Sequence, residues 1–84
     1  MAKILIVDDD EIMRSLFVDI VTEAGHEATT AETSQDGTRI AEEMQPELIM
    51  TDIFMPEEGG LEVIRRVKKT CPNTKIIAIS GFDL

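Results

Sequence analysis

With a single cysteine, Cys71, the chain has no internal disulfide, and without a CxxC pair or a Cys/His companion it has no cysteine-based zinc site. Cys71 reads as a core or surface thiol. Basic residues are scarce too: 8 Lys and Arg stand against 17 Asp and Glu, a formal net charge of −9 over 84 residues. Nucleic-acid backbones are held by clustered Lys and Arg, so this balance argues against direct nucleic-acid binding. The one basic cluster, Arg65, Arg66, Lys68 and Lys69, falls late in a predicted helix, where cations complement the macrodipole. No apolar run approaches the ~20 residues that cross a bilayer. Met1-Ala2-Lys3 leads straight into a predicted strand with no signal-peptide pattern, so a cytoplasmic chain without membrane contact is expected. Repeats, linkers and low-complexity stretches are missing as well. What remains is one small domain over 1–84, with 43% apolar residues for its core.

Three apolar runs stand out. KILIV at 3–7, ELIMT at 47–51 and KIIAI at 75–79 are near-continuous rather than alternating, the look of strands covered on both faces in a parallel sheet. A fourth run, 27–31, is short and partly polar and suits a sheet edge. Between them lie helical patterns. Ile12, Met13, Leu16, Phe17, Ile20, Val21 and Ala24 recur at three- and four-residue spacing and predict a core-facing helix over about 11–24, capped by Asp9 or Asp10 and ended at Gly25. Ser34 and Asp36 offer caps to a second helix carrying Ile40, Ala41 and Met44, with Pro46 just past its end. Leu61, Val63, Ile64 and Val67 give a third its buried face, entered through Gly59 and Gly60 and stopped at Cys71-Pro72-Asn73. Alternating strands and helices imply right-handed βαβ units and an α/β sandwich. The flavodoxin-like winding, strand order 2-1-3-4, has its switch point between the first and third strands.

Chemistry is expected at that switch point. The first strand ends in Asp8, Asp9, Asp10 and Glu11, and the third in Asp52. Side by side and parallel, the two strands would bring Asp8, Asp9 and Asp52 together, and three close carboxylates need a counter-charge. Hard oxygen donors with little else around them favour Mg²⁺. A carboxylate beside such a cation can act as the nucleophile toward a phosphoryl group. Ser80, at the end of the fourth strand, has a hydroxyl to offer a phosphoryl oxygen. His26 has no second ligand nearby and reads as a loop histidine.

ILIVDDD at 4–10, PELIMTDIFMP at 46–56, GGLEVIRRVK at 59–68 and IIAISG at 76–81 together resemble the receiver domains of two-component response regulators. The resemblance implies a signalling domain rather than an enzyme, phosphorylated by a sensor histidine kinase or phosphotransfer protein. By the same resemblance Asp52 is the phospho-acceptor, Asp8 and Asp9 the acidic pair that holds Mg²⁺, Phe54 the donor of a main-chain carbonyl to the metal, and Ser80 the switch hydroxyl. Asp10 lies just outside the pair. The chain departs from the family at its C-terminal side, where the last helix, strand and helix of a full receiver are lacking, and with them a lysine that pairs with the acceptor. Lys75 begins a strand at the far end of the sheet and is no substitute. An uncovered fourth strand then predicts either self-association through the exposed sheet or a chain that is part of a longer protein. Two other readings stay open: a degenerate receiver-like binding or dimerisation module that is not phosphorylated, and, more weakly, a Mg²⁺-dependent phosphohydrolase. Against the last counts Phe54, which stands two positions after Asp52 where a second acid or base would be needed.

Overall fold

Each of the apolar runs becomes a strand, and the helical patterns fill the crossovers between them. In the computed structural model, which describes residues 1–55 and 59–79, the order is β1 (Lys3–Val7), α1 (Glu11–Glu23), β2 (Glu27–Ala31), α2 (Ser34–Met44), β3 (Leu48–Asp52), α3 (Gly60–Thr70) and β4 (Lys75–Ile79). All pairings are parallel and the sheet order is β2-β1-β3-β4, the flavodoxin-like winding expected. The described residues form four strands and three helices. No helix among the described residues is long and apolar enough to cross a membrane.

The sheet has one well-covered face. Leu5, Val7, Ile49, Val63, Val67 and Cys71 form a buried cluster under α2 and α3, with Ala31 and Ala41. Helix α2 sits so close to β1 that a Cβ at Gly37 would lie 2.8 Å from a Val7 methyl, which explains a glycine inside a helix. Cys71 is a core thiol; its Sγ donates to the Ala41 carbonyl at 3.4 Å. On the other face Ile4 and Ile6 pack under Val21, Phe17 and Val18 of α1.

Several expectations change. The stripe of α1 is only half inward: Ile12 is 77% exposed, Leu16 49% and Ile20 53%, because α1 lies over β1 and β2 and leaves that flank turned away from them. Leu61 of α3 is exposed for a similar reason, with Val63 and Val67 taking the core. The cap of α2 is Thr33, whose Oγ1 accepts from the Asp36 amide at 3.1 Å, rather than Ser34 or Asp36. Ser34 already has helical geometry, so its predecessor takes the capping position. Asp10, not Asp9, caps α1, its Oδ1 accepting from the amides of Ile12 and Met13.

Candidate metal centre

In the ladder between β1 and β3, Val7 lies opposite Thr51, so the next residue of each strand, Asp8 and Asp52, emerges at the same end of the sheet. Asp52 is still a strand residue, paired with Ile79 on its other side. The carboxylates of Asp8, Asp9 and Asp52 converge, each offering an oxygen within 4.8 Å of the others. Asp8 is buried, Asp52 half-buried and Asp9 exposed, so the cluster has a closed floor and an open mouth. Ligands of parallel α/β sheets sit at this place, beyond the carboxyl ends of the strands at the switch point.

Local turns hold the carboxylates. Asp8 Oδ1 accepts from the Asp10 amide at 2.9 Å, and Asp52 Oδ1 accepts from the Phe54 amide at 3.0 Å. Both are Asx turns, in which a side chain takes the amide two residues on and fixes its own direction. Behind Asp52 the chain returns closely: the Gly60 amide donates to the Ile53 carbonyl at 3.0 Å, and a Cβ on Gly60 would collide with the Asp52 carbonyl oxygen. Gly59, at φ +81°, makes the left-handed turn that leads into α3. The main chain of Asp8 is pinned on both sides, its N–H donating to the Ala31 carbonyl at 3.1 Å and its carbonyl accepting from Arg14 Nη1 at 2.8 Å.

Burial pushes the Asp8 carboxyl above its ordinary value, the Asp10 amide pulls it back, and the charges of Asp52, Asp9 and Asp10 push it up again. A divalent cation held there would reverse this balance. Three carboxylate oxygens around one point, with no nitrogen or sulfur donor among them, are the donor chemistry of Mg²⁺. The donor set therefore fits that ion, with Asp8, Asp9 and Asp52 as the groups to hold it.

The other sequence candidates separate cleanly. Asp10 belongs to the cap of α1 and stays outside the cluster. Phe54 is exposed beside Asp52. Ser80 and the Pro56 of the D-x-x-M-P loop lie outside the described residues. Lys75 pairs with Leu48 at the start of the strands, the end away from Asp52. His26 also serves that end, its Nδ1 accepting from the Ala2 amide at 3.0 Å. Arg14 is the residue that sequence reasoning passes over. Its signal is a lone charge on the inward face of α1, three and seven residues before Phe17 and Val21.

A family model described as the response regulator receiver domain matches residues 4–83. Among curated relatives, the chemotaxis protein CheY of Thermotoga maritima is 39% identical over 81 residues, spanning 95% of this chain and 68% of that protein. The response regulator receiver protein CpdR of Brucella abortus is 35% identical over 82 residues, spanning 98% and 68%. The match to NtrC of Azospirillum brasilense, at 38% identity, spans only 17% of that longer regulator. Among solved structures, the response regulator TrrA of Thermotoga maritima in complex with Mg(2+)-BeF superposes with a TM-score of 0.92 at 32% identity, over 99% of this chain and 72% of that one. CheY4 of Vibrio cholerae does so with a TM-score of 0.90 at 27% identity, over 100% and 72%.

Proposed function

The chain belongs to the response regulator receiver family, and from that premise we propose that it accepts a phosphoryl group on Asp52 from a sensor histidine kinase or phosphotransfer protein, as a signalling domain of a two-component system. The observation that carries the proposal is the convergence of Asp8, Asp9 and Asp52 at the switch point of the sheet. Mg²⁺ held there would offset the negative charge of the carboxylates and of an incoming phosphoryl group. Asp52 supplies the nucleophile: its carboxylate oxygen forms the new bond to phosphorus, the bond from phosphorus to the donor's imidazole nitrogen breaks, and the electron pair stays on that nitrogen. Asp8 and Asp9 are the metal-holding pair, with the Phe54 carbonyl as a further ligand and the Ser80 hydroxyl as the switch group. Phosphorylation then biases this end of the sheet between two arrangements, as added charge does in other switches.

Mass spectrometry of the intact protein after incubation with Mg²⁺ and a small phosphodonor tests this. A labile phosphoryl adduct, lost in Asp52→Asn and on chelation of the metal, is the expected result. No adduct in the wild type overturns the proposal in favour of a receiver-like module that only binds partners. Multiple turnovers of a phosphate ester would instead point to a phosphohydrolase.

Ile12, Leu16 and Ile20 of α1 and Ile77 of β4 are all substantially exposed, and β4 is an edge strand of the described sheet. Exposed apolar side chains and an open strand edge each favour association, and we propose a second copy of the chain as the occupant of this surface.

A further inference from the structure

A cation, Arg14, reaches the main chain at the buried end of the acidic cluster. The Arg14 side chain is only 15% exposed, and it lies on the face of α1 that otherwise buries Phe17 and Val21. A charge in that position has to be satisfied. Among the described residues it has two partners. One is the Asp8 carbonyl, which accepts from Nη1 at 2.8 Å; the other is Glu32, 3.9 Å from Nη2 and itself 74% exposed. The carboxylate contact is long and solvent-screened, so the carbonyl is the contact with consequence.

That carbonyl has a particular place in the fold. The paired register of β1 with β2 and β3 ends at Val7, and the Asp8 amide makes one more bond, to the Ala31 carbonyl. The Asp8 carbonyl thus leaves the sheet, and Arg14 takes it. With the peptide groups on both sides of Asp8 held, its backbone dihedrals are fixed, and its carboxylate is aimed toward Asp9 and Asp52. We propose that Arg14 is a positioning residue for the cation site: it acts through the main chain of Asp8 and sets affinity for a divalent ion without touching that ion. This rests on the reading of Asp8, Asp9 and Asp52 as a Mg²⁺ site.

Two effects of Arg14 have opposite signs, which makes the proposal testable. As a bare positive charge near the cluster it repels a divalent cation, so removing it would tighten binding. As a clamp on Asp8 it organises the ligand set, so removing it would weaken binding, by about tenfold for supporting contacts of this kind. Isothermal titration of the full chain with MgCl₂ alone, comparing wild type with Arg14→Met, reads the sign directly; Met keeps the apolar stem and loses every donor. The expected result is Mg²⁺ affinity about tenfold weaker in a variant that circular dichroism shows to be folded. Unchanged or tighter affinity overturns the inference and leaves the proposed function standing, whereas a wild type that binds no Mg²⁺ overturns the proposed function itself. If Arg14→Met fails to fold, the wild type carries the test by nitrogen-resolved NMR. A clamp requires the Arg14 guanidinium signals to shift along the same Mg²⁺ titration curve as the Asp8 and Asp9 amides, and signals that stay fixed overturn it.

Discussion

Asp8 sits in the floor of the acidic cluster, between the main-chain bonds to Ala31 and Arg14. It is a buried carboxylate beside two others, and its proton is held more tightly folded than unfolded. As pH rises from the ordinary carboxylate range through the raised value of Asp8, the unfolded state gives up its proton first, and the folded state loses ground. Below that window the contribution is fully present; above it, it is gone. Without Mg²⁺, Asp8→Asn is therefore expected to melt higher than wild type near neutral pH, with the gap closing in acid. Thermal melts across pH check this, and a wild type that is the more stable of the two at neutral pH without metal would contradict it. Added Mg²⁺ should raise the melting temperature of the wild type by mass action and leave Asp8→Asn nearly unmoved. The candidacy of Asp8 and Asp52 was legible because each ends an apolar run. For Arg14 the sequence carried only a charge on the inward stripe of α1 and nothing of the carbonyl it reaches.

Helix α1 shows how far an element can be read from its periodicity. Its start was legible to within one residue, and Asp10 is the cap because it holds extended geometry directly before Glu11, which places its Oδ1 on the Ile12 and Met13 amides. Asp10→Ala leaves the Ile12 and Met13 amides without their acceptor and is expected to cost about 1 kcal/mol, or roughly 4–8 °C in Tm for a domain of this size. A denaturant series measures it, and Mg²⁺ affinity should change far less than stability, because Asp10 is outside the cluster. The inward face of the same helix was misjudged. Periodicity marks which residues share a stripe, but a stripe wider than its contact with β1 and β2 leaves Ile12, Leu16 and Ile20 on the flank. For α2 the cap moved by one residue, to Thr33, since Ser, Thr and Asp near a helix start all carry the same accepting oxygen.

At the scale of the whole molecule the sheet is asymmetric, with α2 and α3 covering one face and α1 part of the other. Self-association is expected to follow protein concentration in light scattering. A charged residue placed on the apolar flank, as in Leu16→Glu, or on the open strand, as in Ile77→Lys, should shift the population to monomer while leaving the circular dichroism melt intact. Association untouched by both substitutions would place it elsewhere on the surface. The net charge of −9 opposes association, so added salt should favour it. Element types, their order and the acidic strand ends were determined by the sequence alone, because hydrophobic periodicity and turn residues act over a few neighbours. The tertiary structure alone decided which cation holds the Asp8 main chain and which apolar residues stay outside. Those outcomes depend on strand register and helix placement, where groups far apart in the chain meet.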